Sequence, residues 1–341
     1  MFTVTKEMHD KIAKVCKIAP SKSAINQALT NVLITASDGV LTVGASDSMI
    51  EMTSKINCDV EVNISTCVDA SKFISALKAC GAKATVQLKD DLIIKNGRRK
   101  FNLKTIDPEN YPSFPQINDS NLIDIKAEEL IQSIKRVSFA SAKNDVRYCL
   151  NGVNVSNYCV GTDGHRIAMT ELGLEDVNII LPQEVIGKLD GLTGDVYVCD
   201  GFATFKSDDT VFNAKLIDGK YPDVSTLMNE QGQDVSIDRV EFIDAIKACS
   251  ITSHSDLKSV MIKFDQGVST IESISEKRES STIGFNCEMS EADPIEFGVN
   301  SSYLIDALNV LESEIVAINV TDSKIIINQD GISQVIMKVK L

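Results

Sequence analysis

The sequence predicts an α+β protein built from three similar domains, each with two helices packed on antiparallel sheets. A first amphipathic helical pattern occurs three times, in residues 6–18, 127–140 and 239–249. A second helical pattern follows each of them, in residues 71–79, 183–189 and 301–311. The starts of the second set are separated by about one third of the 341 residues, which indicates an internal threefold repeat.

The helices are predicted from the spacing of their apolar residues. In the first helix of each repeat these residues step by three or four positions: Met8, Ile12 and Val15, then Leu130, Ile134 and Val137, then Val240, Ile243 and Ile246. Runs that alternate or are apolar throughout follow each helix and predict strands. Within them, Asp38-Gly39 lies between two apolar runs and predicts a tight hairpin turn.

Proline and glycine mark the joins between the repeats. The first join has three prolines between residues 108 and 115, and the second is a loop with glycine and proline at 219–232. These loops predict domains at 1–119, 120–232 and 233–341.

The net charge of −14, from 34 basic and 48 acidic residues, argues against a protein that binds nucleic acid or anionic membrane with its whole surface. The helical segments taken together are nevertheless net positive, while the rest of the chain is strongly negative. If the helices line one surface, a sequence-independent track for phosphates can lie there. On charge alone, the favoured interpretation is that lysines simply solvate the helix faces.

Composition excludes several classes of site. The nine cysteines include no CxxC pair and the three histidines are far apart, so neither a disulfide framework, a metal site nor a histidine-based triad is expected. The sequence has no GxGxxG or GxxxxGK[ST] phosphate loop, and no cofactor is expected. It has no apolar run of membrane-spanning length and no signal-peptide core, so a cytoplasmic protein without membrane contact is predicted.

Four segments carry a resemblance to a known family. NDVRYCLNGV, GTDGHRIAMTEL, LIDGKYPDVSTLM and the terminal VIMKVKL together resemble the β sliding clamps, the bacterial-type processivity factors of replicative DNA polymerases. The resemblance implies a head-to-tail homodimeric ring of six domains, with helices lining a channel for duplex DNA. It implies no catalytic residue: the ring tethers the polymerase and slides, after loading by an ATP-driven partner.

The resemblance also implies a pocket that binds short linear peptides of the DNA polymerase, the clamp loader and other proteins. We call this site the docking pocket. Its predicted residues are mostly apolar, as expected of a groove for a hydrophobic anchor. They are Leu150, Thr162, Gly164, His165, Arg166, Ile167, Pro222, Leu227, Val335, Ile336, Met337 and Val339.

Two further sets follow from the same resemblance. The DNA-binding residues that it implies are Lys22, Asn144, Arg147 and Tyr148. The dimer-interface residues that it implies are Arg98, Lys100, Phe101 and Leu103 on one side, opposite Ile251, Glu276 and Glu279.

The sequence departs from the family pattern in each set. Thr226 and Lys338 stand where arginine and proline are frequent, which predicts a different peptide preference. Lys22 replaces a more usual arginine and Cys149 an aromatic residue, so fewer bidentate and stacking contacts to DNA are expected. Thr252 occupies a position that is apolar in relatives, which weakens the predicted dimer interface.

Two alternatives remain at this stage. A clamp-like interaction scaffold without tight ring closure would be a monomer. A hydrolase using His165 and Asp163 is disfavoured because no nucleophile motif accompanies them.

Overall fold

The computed structural model describes residues 1–22, 26–112, 121–199, 201–228, 230–253, 258–274 and 279–340. In these ranges, 26 strands, numbered in chain order, form four antiparallel sheets. The six α-helices are α1 (Met8–Cys16), α2 (Ala70–Cys80), α3 (Ala127–Ser138), α4 (Gln183–Ile186), α5 (Arg239–Cys249) and α6 (Ser301–Asn309). The predicted α+β class, with two helices in each repeat, is confirmed.

The chain divides into two compact units, Met1–Glu129 with Leu189–Leu216, and Leu130–Lys188 with Ile217–Leu341. Each unit holds one four-stranded and one nine-stranded sheet. These units divide the second repeat between them, so they differ from the three domains predicted at 1–119, 120–232 and 233–341. The three boundaries stay a prediction about sequence repeats.

The strands of the first unit form two sheets. The smaller sheet has the order β1 (Phe2–Thr5), β6 (Lys83–Leu88), β7 (Leu92–Asn96), β8 (Arg99–Leu103). The larger sheet has the order β10 (Leu122–Lys126), β15 (Asp195–Cys199), β16 (Phe202–Lys206), β17 (Thr210–Lys215), β4 (Ile50–Asn57), β3 (Val40–Ser46), β2 (Asn31–Ser37), β5 (Ile64–Asp69), β9 (Thr105–Ile106).

Helices α1 and α2 pack on each other and on these sheets. Ile12 and Val15 of α1 and Phe73 and Leu77 of α2 are fully buried, as the helical spacing of apolar residues predicts. Asp69 caps α2, because its carboxylate accepts a hydrogen bond from the backbone N–H of Lys72.

The strands of the second unit also form two sheets. The larger sheet has the order β14 (Ile179–Pro182), β11 (Gly152–Val155), β12 (Tyr158–Thr162), β13 (Arg166–Glu171), β26 (Ile332–Met337), β25 (Lys324–Gln329), β24 (Ile315–Val320), β18 (Gln233–Asp238), β22 (Cys287–Met289). The smaller sheet has the order β21 (Ser280–Phe285), β20 (Ser269–Ile274), β19 (Ser259–Phe264), β23 (Ile295–Asn300).

Helix α5 packs on α6 and on β21 in the second unit. Asp238 and Asn300 cap the two helices through their side-chain oxygens. The core beneath α5 is a cluster of phenylalanine rings, Phe242, Phe264, Phe285 and Phe297, with neighbouring centroids 4.9 to 6.1 Å apart.

Strands of successive repeats pair inside both nine-stranded sheets. In the first unit, β4 pairs with β17, so that Ile50 lies opposite Ala214. In the second unit, β13 pairs with β26, so that Arg166 lies opposite Ile336. Each nine-stranded sheet therefore contains strands from two repeats. The second pairing also builds the site described next.

Candidate functional site

The turn at residues 162–166 joins β12 to β13 and is held by its own polar side chains. The Thr162 hydroxyl donates to the carbonyl oxygen of Arg166 at 2.6 Å and accepts from the N–H of Gly164 at 3.1 Å. The Asp163 carboxylate accepts from the N–H groups of His165 and Arg166 at 2.9 and 3.1 Å. Gly164 has a φ of +90°, a conformation that favours glycine. The TDGHR sequence thus specifies this turn locally.

A tyrosine of the second join is hydrogen-bonded to the backbone of this turn. The Tyr221 hydroxyl accepts a hydrogen bond from the N–H of Thr162 at 3.1 Å. Tyr221 is buried, and burial raises the pKa of its hydroxyl well above the usual range. The phenol therefore stays neutral and acts as a structural hydrogen-bonding group.

An apolar cluster lies beside the turn and contains several residues of the predicted docking pocket, so we call it the floor of that predicted pocket. Its buried residues come from the loop after α3, from the 3-10 helix at Tyr148–Asn151, from β12, β13, β14, β25 and β26, and from the second join: Ala142, Leu150, Val160, Ile167, Ile180, Tyr221, Val224, Met228, Ile326 and Val335. Cys149, Met169, Ile217 and Met337 pack against it while remaining partly exposed. The structure therefore brings Leu150, Ile167, Val335 and Met337 into one cluster, and their role in binding a peptide stays a prediction.

Other predicted pocket residues surround this cluster. His165, Gly164, Pro222 and Leu227 are exposed, and Leu227 keeps 39% of its surface accessible. The carbonyl oxygen of His165 accepts a hydrogen bond from the N–H of Met337 at 2.9 Å, which fastens the turn to β26.

Two predicted residues of the final strand region have different positions. Ile336 is buried but lies between Val335 and Met337, so its side chain projects from the opposite face of β26. Val339 lies beyond β26 and forms an isolated bridge with Gly298.

Arg166 is a structural residue of this site. Its guanidinium pairs with Asp163 at 3.0 Å and with Asp306 at 2.7 Å, and it donates to the carbonyl oxygen of Phe139 at 2.6 Å. It also lies over the ring of Tyr303, at 4.2 Å from the centroid. These contacts join the turn to Phe139, directly after α3, and to α6. Only 11% of the side chain is exposed, so Arg166 offers little surface to a ligand.

Arg147, predicted to bind DNA, directly precedes the 3-10 helix at Tyr148–Asn151 and contacts the turn at residues 162–166. Its guanidinium makes a two-point contact with Asp145, at 3.0 and 2.9 Å, and donates to the carbonyl oxygen of Asp163 at 3.1 Å. The hydrogen bonds from Arg147 lower the pKa of the Asp145 carboxyl to about 2. These hydrogen bonds fix the position of the Arg147 guanidinium, and 56% of the Arg147 side chain remains exposed.

The other predicted DNA-binding residues are all exposed. Tyr148, beside Arg147, keeps 77% of its surface accessible, and Val146 keeps 90%. Asn144 has a φ of +60° at the start of this loop. Lys22 is exposed in the first unit, at the last residue of a described range.

An ion pair at the edge of the pocket was not predicted. The ammonium group of Lys324 lies 2.8 Å from the Glu230 carboxylate. Lys324 is the first residue of β25 and is only 5% exposed. No local pattern signals this burial, because the partner carboxylate comes from the distant second join.

The predicted dimer-interface residues lie on two strand edges. Lys100, Phe101 and Leu103 belong to β8, at one end of the four-stranded sheet of the first unit, and Arg98 directly precedes it. Ile251, which is 84% exposed, and Glu279 lie beside β21 in the second unit. Glu276 lies outside the described residues.

Thr252 turns away from this exposed edge. Its hydroxyl lies 2.7 Å from the hydroxyl oxygens of both Ser273 and Ser281. The Cys249 carbonyl oxygen accepts hydrogen bonds from the same two serines at 2.7 and 2.9 Å. The polar residue at this position is thus satisfied inside its own chain, and Ile251 is left as the exposed apolar contact.

The described ranges contain no group of three or more histidine, cysteine or acidic side chains placed to hold a metal ion. None of the nine cysteines forms a disulfide. None of the helices described is long and apolar enough to cross a membrane.

Comparison with known proteins assigns almost the whole chain to one family. The family models of the DNA polymerase III beta subunit match in chain order: the N-terminal domain at residues 1–115, the central domain at 124–223 and the C-terminal domain at 225–340. The Beta sliding clamp of Bacillus subtilis is 27% identical over 354 residues, covering 94% of this chain and 93% of that protein. The Beta sliding clamp of Staphylococcus aureus is 29% identical over 315 residues, with coverage of 84% and 83%.

Solved structures agree with these matches. The DNA polymerase III subunit beta of Pseudomonas aeruginosa superposes with a TM-score of 0.92 at 25% identity, covering 100% of both chains. The DNA polymerase sliding clamp of Bacillus subtilis superposes with a TM-score of 0.91 at 25% identity, covering 100% of this chain and 99% of that one. The resemblance seen in the sequence is confirmed: the chain belongs to the DNA polymerase III beta subunit family, the beta sliding clamps.

Proposed function

We propose that this protein is a DNA sliding clamp, a head-to-tail homodimeric ring that encircles duplex DNA and tethers a replicative DNA polymerase. The observation that carries the proposal is the match of three clamp-domain models, in order, over residues 1–340. The ring catalyses no reaction and acts in the cytoplasm. It holds DNA by enclosure, so it needs neither cofactor nor metal.

Two strand edges support ring closure. At the outer edge of β1, Phe2 forms an isolated bridge with Val60. At the outer edge of β23, Gly298 forms an isolated bridge with Val339. In the described part of the chain, no strand pairs with the outer edge of β8 or of β21. Because exposed edges recruit other strands, we infer that β8 of one copy pairs with β21 of the next. A head-to-tail contact of this kind closes into a ring when its rotation fits two copies.

The helices of the first unit support contact with DNA phosphates. A cleft between α1 and α2 is lined by Lys17 and Lys78, together with the hydroxyl-bearing residues Ser21 and Ser71. Both lysines are exposed. Lysine contacts to phosphate are sequence-independent and exchange easily, which allows a ring to slide.

The docking pocket supports binding of a peptide. Its floor is apolar and buried, and its rim carries exposed His165, Pro222 and Leu227. This combination suits a short segment that inserts an apolar anchor and makes polar contacts around it. We infer that polymerase, clamp loader and other partners dock here.

A loading experiment tests the proposal. The protein is loaded by a bacterial clamp loader with ATP onto nicked circular DNA, and the DNA is then linearised. We expect retention on the circle and rapid escape from the cut ends. Equal retention on circular and linear DNA would contradict enclosure, and sedimentation as a monomer at micromolar concentration would instead favour the open scaffold.

A further inference from the structure

The buried lysine Lys324 lies on the docking face of its sheet. In the antiparallel register Lys324 is opposite Met337, and Ile326 is opposite Val335. Since residues two apart on a strand share a face, Lys324 projects to the same side as Ile326. Ile326 and Val335 belong to the floor of the docking pocket, and Met337 packs against it. The pocket floor therefore ends in an ammonium group.

The carboxylate that pairs with this ammonium group comes from an exposed segment. Glu230 follows the 3-10 helix at Ser225–Met228, which supplies Leu227 to the rim and Met228 to the floor. The Glu230 side chain is 40% exposed, whereas that of Lys324 is 6% exposed. The hydrogen bond from Lys324 lowers the pKa of the Glu230 carboxyl, so Glu230 is ionised at neutral pH.

The two partners have unequal freedom. Lys324 is fixed in β25, and its N–H and carbonyl oxygen are both bonded to the Thr321 hydroxyl, at 3.2 and 3.1 Å. A buried ammonium group needs a carboxylate close by, because leaving it unpaired is costly. Glu230 can turn into solvent at little cost once another carboxylate replaces it. Lys324 is thus a fixed cation whose carboxylate partner, Glu230, can be exchanged for another carboxylate.

We propose that Lys324 determines specificity in the docking pocket: partner peptides place an Asp or Glu side chain next to their apolar anchor, and this carboxylate replaces Glu230 on Lys324. The inference rests on the proposed function, since it concerns the peptide-binding site of the clamp. A neutral peptide side chain gains nothing here, because Lys324 keeps Glu230. A basic side chain meets repulsion from Lys324.

The first test selects peptides without assuming a partner. A phage-displayed library of short random peptides is selected on the intact protein, and binders that lose affinity for His165→Ala are kept as pocket ligands. We expect Asp or Glu within two positions of the apolar anchor in these peptides. The best binder and its Asp→Asn (or Glu→Gln) version are then compared by fluorescence polarisation, and the amide version should bind about tenfold more weakly.

Two variants assign this preference to Lys324. In Lys324→Met, which keeps the length of the side chain, the acidic and amide peptides should bind within about twofold of each other. In Glu230→Gln, the acidic peptide should bind several-fold more tightly, because its competitor is gone. The matched control is Lys263→Met, which removes an exposed lysine paired with Asp265 at 3.1 Å in the same unit and should leave the preference unchanged.

The outcomes separate the inference from the proposed function. Pocket peptides without acidic preference, or a preference that persists in Lys324→Met, would overturn the role of Lys324 and leave the docking pocket intact. A library that yields no His165-sensitive binder would overturn both. Thermal unfolding of each variant shows that the fold is kept, and the opposite signs expected for Lys324→Met and Glu230→Gln decide the case even if one variant folds poorly.

Discussion

The hydroxyl group of Tyr221 accepts a hydrogen bond from the backbone N–H of Thr162, with 3.1 Å between the two atoms. The first unit repeats this arrangement: the Tyr111 hydroxyl accepts from the N–H of Ser46 at 2.9 Å. In each unit, a tyrosine from the loop that follows a repeat binds the backbone at the end of one strand. The next strand, β4 or β13, pairs with a strand of another repeat. The same hydrogen bond thus occurs in both units, and in the second unit it holds the turn of the predicted docking pocket.

Tyr221→Phe should destabilise the second unit. The substitution leaves the buried N–H of Thr162 without its acceptor, so we expect the free energy of unfolding to fall by about 1–2 kcal/mol. Urea denaturation followed by circular dichroism measures this change. Tyr158→Phe is the matched control, because Tyr158 is 36% exposed and should shift stability little. Equal losses in the two variants would contradict a specific role for the Tyr221 hydroxyl.

Arg166→Lys should also destabilise the protein, although it keeps the charge. Lysine cannot reproduce the contacts with Asp163, Asp306 and the carbonyl oxygen of Phe139, so we expect a loss of about 2–4 kcal/mol. Asp306→Asn, which alters only the partner that is 43% exposed, should cost less than about 1 kcal/mol. A fully stable Arg166→Lys protein with weakened peptide binding would show that Arg166 acts on the ligand directly.

Gly161→Ala should disrupt the packing of β12 against α3. A Cβ atom at Gly161 would lie 2.3 Å from the carbonyl oxygen of Val137, which is backbone and cannot move aside cheaply. We expect a loss of about 1–3 kcal/mol in unfolding experiments. Gly187→Ala is the control, because nothing lies within 4 Å of a Cβ atom there. A loss as large in the control would show that the close approach is not the cause.

The pair of Asp145 and Arg147 should persist in acid. The pKa of the Asp145 carboxyl is lowered from 3.8 to about 2, so its stabilising contribution is complete above the ordinary pKa and is lost as the pH falls through the lowered value. Carbon NMR of the carboxyl group should give a midpoint near 2. In Arg147→Met the midpoint should return towards 3.8. An unchanged midpoint would rule out Arg147 as the cause.

Ile251→Asp should separate the ring into monomers. Ile251 is 84% exposed beside β21, so the substitution should not alter the monomer fold, but it places a charge in the proposed interface. We expect the dimer Kd to rise about a hundredfold or more in analytical ultracentrifugation. Ile315→Asp, at a residue that is 57% exposed in β24 of the nine-stranded sheet, should leave the dimer intact. Dissociation by both variants would indicate a general effect of charge.

Much of the fold could be predicted from local patterns. Helix α5 has the bounds that the helical spacing of its apolar residues predicts, and the structure adds that Asp238 caps it. The Asp38-Gly39 hairpin is confirmed, with φ values of 52° and 78°. Helix α4 ends at Ile186, before Gly187, and is therefore shorter than the predicted helix at 183–189.

Long-range features could not be predicted in the same way. The pairing of Ile50 with Ala214 joins strands from different repeats, and no turn or spacing fixes their register. The resemblance implies that Arg166 is a pocket residue, but its contacts with Asp306 and Phe139 are long-range and could not be read from the sequence. The burial of Lys324 depends in the same way on Glu230, far away in the chain.

The pairing of β4 with β17 has a consequence for how the chain acquires its structure on the ribosome. Residues 50–57 emerge long before residues 210–215, so one side of β4 has no intramolecular neighbour while the intervening segment is being synthesised. A fragment that stops at residue 119 would keep that side bare and tend to self-associate. A truncation meant to behave as an independent body should therefore run at least to residue 216, where the first compact unit is complete.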